Sequence, residues 1–182
     1  MAGHSHWAGI KHQKAVTDAK RAKTFSKLLK AISAAAKSEP NPDFNPRLRT
    51  AVAKAKEAMV PADNIERAIK KAGEEKPMEE LFFEAYGPGS AAILIEALAD
   101  NRNRMVQEVK KMLGEHGGKW AEAGSVLWAF EKAPEGEWRP KFPQEIGAKD
   151  AEALADLVEA LEEHEDVQGV TTNACRTHPK IS

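Results

Sequence analysis

Apolar positions recur with a helical period over the first third of the chain and with a strand period after it. Phe25, Leu28, Leu29, Ile32 and Ala36 fall at i, i+3, i+4, i+7 and i+11, one stripe of a helix, and predict a helix from about Thr17 to Lys37. A second helix starts at Asn45-Pro46, where an asparagine cap precedes a proline whose fixed φ suits the first turn. It turns Leu48, Val52, Ala55 and Met59 inward. Pro61 opens a third helix, with Ile65, Ala68, Ile69 and Ala72 inward and Gly73 as its stop. Short helices on short loops predict a small bundle over residues 17–73. Residues 1–16 show no such stripe and contain Gly3 and Gly9, so they are expected to form a flexible basic arm.

The segment EEKPMEE reads as a linker, and beyond residue 78 the period changes. Leu81–Tyr86 and Ala91–Ala99 read as strands joined by the turn GPGS. A helix follows Asp100–Asn103, with Val106, Val109, Met112 and Leu113 on one face, and ends at Gly117-Gly118. Ser125–Glu131 (SVLWAFE) is expected to be a third strand. Residues 133–147 are rich in proline, glycine and charge and read as a linker, with Trp138 and Phe142 in a short strand. An amphipathic helix over Asp150–His164 and a strand over Val167–Thr172 complete the pattern. The predicted class is α+β: an N-terminal three-helix bundle with a basic arm, then a ferredoxin-like α+β sandwich over 79–178.

Charge changes this picture. Residues 1–71 carry 15 Lys/Arg against 6 Asp/Glu, a net of +9, whereas 72–182 carry 12 against 22, a net of −10. The formal charge of −1 conceals that separation. A basic head of this kind points to a polyanion, most commonly phosphate. Lys11, Lys14, Lys20, Arg21, Lys23 and Lys27 are the candidate phosphate ligands, and Trp7 is a candidate for stacking on an exposed base. The plain alternative is a solvated lysine face. Arg102 and Arg104 of DNRNR sit where a strand meets a helix and are a second candidate anion contact, weighed against capping by Asp100 or Asn101.

Other chemistry finds less support. His4, His6 and His12 cluster near the start, and a demethionylated Ala-Gly-His terminus could hold Cu(II) or Ni(II), but nothing completes a closed zinc site. GPG lacks the pattern of a phosphate loop, and no nucleophile elbow is present. The expectation is a protein that is not an enzyme and uses no metal, cofactor or small-molecule substrate. One cysteine, Cys175, excludes an intramolecular disulfide. No apolar run is long enough to span a membrane, and the basic N-terminus has no apolar signal core, so a cytoplasmic location is expected.

Several segments resemble one family. MAGHSHWAGIKHQKAVTDAKRAKTFSKL is similar to the opening MAGHSKWxxIKxxKxxxDxKRxKxFxKL of the YebC/PmpR proteins, which include the mitochondrial translational activator of cytochrome oxidase subunit I. The similarity continues through NPRLRTAVAKAKEAMVPADNIERAIKKAG, EAYGPGSAAILIEALADNRNR, GEHGGKWAEAGSVLWAFEK and LVEALEEHEDVQGVTTNA. It implies a nucleic-acid-binding regulator of gene expression, conventionally a DNA-binding transcriptional regulator. The alternative it implies is an RNA- or ribosome-associated translation factor that relieves stalls. Physical reasoning favours the alternative, because no helix-turn-helix reader is evident. The chain departs from the family where APEGEWRPKFPQEIG replaces a further small lobe, at His6 where Lys is usual, and at Ser90 where Gly is usual.

Overall fold

The computed structural model describes residues 3–74, 76–134 and 136–176, with side chains described from Thr17 to Cys175 within those spans. The chain divides into two compact units, Met1–Pro77 and Met78–Ser182.

The first unit contains α1 (Gly3–Ala36), α2 (Pro46–Glu57) and α3 (Ala62–Lys71). Its core is Ile32, Ala35 and Ala36 of α1 against Leu48 and Ala55 of α2 and Ile65 of α3, closed by Val60 and Ala72. Phe25, Leu28 and Leu29 extend the same stripe but are only partly buried. Asn45, 7% exposed, uses its whole amide. Its Oδ1 accepts from the Leu48 amide at 3.0 Å, while its Nδ2 donates to the carbonyls of Ala35 at 2.8 Å and Glu39 at 2.7 Å. One side chain therefore caps α2 and ties it to the end of α1. Ser33 makes the corresponding tie to α3, donating to the Ala68 carbonyl at 3.1 Å.

The expected boundary between a flexible arm over 1–16 and a helix from Thr17 is not observed: α1 is continuous from Gly3. Once a helix is anchored by packing, each added residue gains a hydrogen bond, and a single glycine such as Gly9 costs only about 1 kcal/mol. Propensity over a long polar segment can therefore extend a helix that no apolar stripe announces.

The second unit is a four-stranded antiparallel sheet with two helices on one face. Its strands are β1 (Glu79–Tyr86), β2 (Ala92–Ala99), β3 (Lys119–Ala121) and β7 (Val167–Thr172), in the order β3-β1-β2-β7. Helix α4 (Arg102–Glu115) follows β2 and helix α5 (Ala148–Glu163) precedes β7, so the chain runs ββαβ…αβ through this two-layer plan. Leu81, Phe83 and Ala85 of β1 and Ile93, Ile95 and Ala97 of β2 face Met105, Val109 and Leu113 of α4 and Leu154, Leu157 and Leu161 of α5. The β1–β2 hairpin pairs Glu79 with Ala99 through Tyr86 with Ala92. Its turn contains Gly89 at φ +69°, where an added Cβ would lie 2.8 Å from Ile146 Cγ2. The neighbouring Ser90 also adopts a left-handed backbone, at φ +60°. Such a conformation costs roughly 1–2 kcal/mol for a residue with a Cβ, which explains physically why glycine suits that position.

SVLWAFE is not the continuous strand its composition predicts. Leu127–Ala129 form a 3₁₀ turn and only Phe130–Lys132 (β4) are extended, paired with β5 (Trp138–Pro140). The cause is the buried carboxylate of Glu84, which accepts backbone N–H groups of Gly124 at 2.6 Å, Val126 at 2.7 Å and Leu127 at 2.9 Å. Amides drawn to one carboxylate cannot join a ladder. Phe142 lies outside β5. Three short strands went unpredicted: β3, and the parallel pair β6 (Gln144–Ile146) with β8 (Ala174–Arg176). Each is three residues long, too short for a periodic signal.

Replacing the fully buried Ile32 by alanine is expected to lower the unfolding free energy by about 2–5 kcal/mol. Leu28→Ala, at a half-buried site on the same stripe, should cost clearly less. Chemical denaturation of the two variants checks the phase of α1, and equal losses would contradict it.

Candidate nucleic-acid interface

Helix α1 outruns the core it helps to build. Every residue from Thr17 to Thr24 is exposed, on all sides of the helix. Lys20, Lys23, Lys27 and Lys30 follow one another at i, i+3, i+7 and i+10, so they line one face. At 1.5 Å per residue that row is about 15 Å long. It lies opposite the stripe of Phe25, Leu28 and Ile32. Lys20 and Lys23 are exposed, whereas Lys27 and Lys30 are half-buried. Arg21 differs from its neighbours, because its guanidinium carbon sits 5.3 Å from the Phe25 ring centroid on the apolar side of the helix. That contact leaves the planar donors of Arg21 at the edge of the stripe while its stem covers an aromatic face. The side chains of Trp7, Lys11 and Lys14, and of His4, His6 and His12, lie outside the described residues.

The two arginines of DNRNR have different surroundings. Asn101 caps α4, its Oδ1 accepting from the Arg104 amide at 3.0 Å. Arg102 points outward with its side chain 62% exposed, and meets the equally open Glu79 at 3.3 Å. Such an exposed pair is worth little and is easily exchanged for another anion. Arg104 is enclosed by carboxylates. It donates to Asp166 at 2.7 Å, Asp100 at 3.0 Å and Glu108 at 3.0 Å. The Asp166 side chain is 3% exposed, so Arg104 supplies the charge that a buried carboxylate requires. The Asp166 hydrogen bond, then that of Asp100, raises the Arg104 pKa further above its ordinary value, so this cation persists at any accessible pH.

His164 completes the network. Its Nε2 lies 3.0 Å from Glu108 Oε2, and its Nδ1 faces the Asp166 amide at 3.1 Å. An amide N–H pointing at Nδ1 requires that nitrogen to accept, which assigns the proton to Nε2. Glu108, His164 and Asp166 bring ligand-type atoms within 4.8 Å of one another. Arg104 already provides the positive charge at that point, and its binding to two of the three explains the cluster without a metal.

Of the sequence-predicted residues, Lys20, Arg21, Lys23 and Lys27 share one helix of the first unit, Arg102 stands exposed in the second, and Arg104 serves the fold of α4 and β7. Sequence reasoning did not single out Trp128 and Phe142, which are large, exposed rings in the second unit. Trp128 lies in SVLWAFE, whose strand reading gives it no separate role, and Phe142 lies in EWRPKF, where its spacing with Trp138, Arg139 and Lys141 is the one local signal.

Comparison with known proteins places these features in a family. The profile of the TACO1/YebC protein N-terminal domain matches residues 5–75, and that of the TACO1/YebC second and third domain matches residues 78–135. A probable transcriptional regulatory protein of Desulfosudis oleivorans is 44% identical over 183 residues, covering 93% of this chain and 74% of its own. Another protein of that description, from Solibacter usitatus, is 36% identical and covers 95% of both chains. That match runs over 235 positions, so the relative carries residues within the matched span that this 182-residue chain lacks. The crystal structure of a conserved hypothetical protein from Aquifex aeolicus superposes with a TM-score of 0.79 at 33% identity, covering 97% of this chain and 99% of that one. The basic helical unit and the following antiparallel sheet unit are thus those of the TACO1/YebC family, to which this chain belongs.

Proposed function

We propose that the chain is a nucleic-acid-binding regulator of gene expression, without catalytic activity, and that α1 carries its principal contact. The observation behind this reading is a helix segment, residues 17–24, exposed on every side and rich in lysine, in the positively charged part of a charge-separated chain. A helix that is polar all round gains little from its own packing. Phosphates placed along it would relieve lysine–lysine repulsion and release counterions. Lys20, Lys23 and Lys27 form the row and Arg21 adds a planar donor set, while Lys11, Lys14 and Trp7, whose side chains lie outside the described residues, remain candidates by sequence. Arg102 is the candidate contact of the second unit.

RNA is the favoured target. The α2–α3 connection has four residues, a length that a helix-turn-helix also uses, but α3 opens with Asp63 and Glu66, both exposed, where a recognition helix would meet base edges and phosphate. Carboxylates at that position oppose entry into a major groove. RNA presents its backbone and unpaired bases without requiring such a helix. Sequence-specific DNA binding in transcription is the second reading, favoured by the name that the relatives carry. A ribosome-associated role falls within the RNA reading.

Reversing Lys20, Arg21 and Lys23 to glutamate is expected to abolish binding to RNA and DNA alike, with unchanged helix content by circular dichroism. Binding by this variant at parental strength would refute the role of α1. For about four phosphate contacts, log K should fall against log salt with a slope near −3 on single strands and about −3.6 on duplex DNA. One DNA sequence bound several hundred-fold tighter than its scrambled form at fixed salt would restore the DNA reading.

The two arginines should separate under mutation. Arg102→Glu is expected to weaken binding with little change in thermal midpoint. Arg104→Ala is expected to lower stability by about 2–4 kcal/mol, because it leaves Asp166 buried without its cation. A stable Arg104→Ala variant that had lost binding would assign Arg104 to the interface.

A further inference from the structure

The sheet face of the second unit turned away from α4 and α5 is covered by Val126, Ala129, Phe130 and Trp138, which pack on Ala92 and Leu94 of β2. The segment that provides this cover also displays two rings outward. Trp128 is 64% exposed and Phe142 is 50% exposed, with centroids 5.8 Å apart. Neither belongs to a core cluster, yet both are held in place. Glu84 fixes the turn before Trp128 through its three amide contacts. The Trp128 Nε1 donates to the Ser125 carbonyl at 2.8 Å. The amides of Lys141 and Phe142 both donate to the Ala129 carbonyl, at 2.8 and 3.3 Å. The Lys141 ammonium lies 5.3 Å from the Phe142 ring centroid.

We propose that Trp128, with Phe142 inclined at 42° to its ring plane and Lys141 beside them, forms a ledge on which an unpaired base of single-stranded RNA stacks, the base lying on the indole and meeting Phe142 at its rim. The inference deepens the nucleic-acid reading above and rests on it, adding a contact in the second unit to that of α1. Three features select this occupant. The rings are preorganised, so little conformational entropy is lost when a flat ligand is covered. The indole N–H is already satisfied inside the turn, so Trp128 offers its π face and not a donor. A cation stands next to the ring pair, where the sugar-phosphate of a stacked nucleotide would run, and the nearby carboxylate of Glu131 is matched by Arg139 at 2.7 Å. Aromatic rings with an adjacent lysine are the composition of sequence-tolerant single-strand binding.

The test compares two probes with the full chain at one salt concentration, by fluorescence anisotropy: an oligouridylate of about 12 nucleotides, within the usual site sizes for single-strand binders, and a blunt RNA duplex. The double variant Trp128→Ala, Phe142→Ala is expected to bind the oligouridylate about tenfold more weakly and the duplex as the parent does. Trp128→Phe, which keeps a ring, should retain most of the single-strand affinity. Trp128→Gln removes one exposed ring and should reproduce most of the loss if the double variant fails to fold. Unchanged oligouridylate binding by Trp128→Gln or the double variant would overturn the ledge. So would self-association of the parent that the Trp128→Gln variant loses on sedimentation, because the rings would then cover a second copy. The glutamate reversal of Lys20, Arg21 and Lys23 should weaken both probes. If it weakens neither, the α1 reading fails, and the ledge is still judged by its own selective loss.

Discussion

Strand β2 is buried on both faces, and the arrangement of the second unit follows from covering it. Seven of its eight residues, AILIEALA, are buried. One face is met by α4 and α5, whose leucines and valines close over Ile93, Ile95 and Ala97. The other face needs a second cover, and the segment from Val126 to Trp138 supplies it. Burying a strand on both sides removes large apolar area from water, at about 25 cal/mol per Å². It also leaves no route for the covering segment to satisfy its backbone by joining the same sheet edge. Glu84 answers that need by taking three of its amides. Asn173, itself 4% exposed, closes the far end, exchanging two hydrogen bonds with the Ala92 backbone and donating to the Phe142 carbonyl.

Two polar side chains thus hold a covering layer that has little regular structure of its own. The outward display of Trp128 and Phe142 is a by-product of that fixation. A loop that is rigid through buried polar ties can present large rings to solvent at defined positions, which a mobile loop cannot.

Charge in this chain is sorted by burial as well as by position. Arg102 and Arg104 are two residues apart, yet one is open and paired with an equally open glutamate, while the other neutralises a buried aspartate. The cost of desolvating Asp166 decides the role of Arg104, and nothing within DNRNR encodes that cost. Along α1 the opposite holds. The residues from Thr17 to Thr24 are exposed, and the summed field of the lysines there contributes to what the helix attracts.

The helices of both units, the β1–β2 hairpin and the last strand of the sheet were legible in the chain, because one-sided burial prints a period of 3.6 or 2 on the apolar residues. The capping of α2 by Asn45 was legible for a local reason, because an asparagine reaches only the amides two or three residues ahead, whereas for α4 the sequence leaves Asp100 and Asn101 as alternatives and the structure selects Asn101. The row of lysines on α1 and the separation of charge between the two parts of the chain were likewise determined by sequence alone. Only the tertiary structure decided the rest. It turned SVLWAFE into a 3₁₀ turn and a stub of strand, because a carboxylate on β1, some 40 residues earlier, captures its amides. It committed Arg104 to Asp166 and paired β6 with β8 in parallel. Each outcome depends on a partner distant in sequence, and local periodicity carries no information about a partner that only folding brings near.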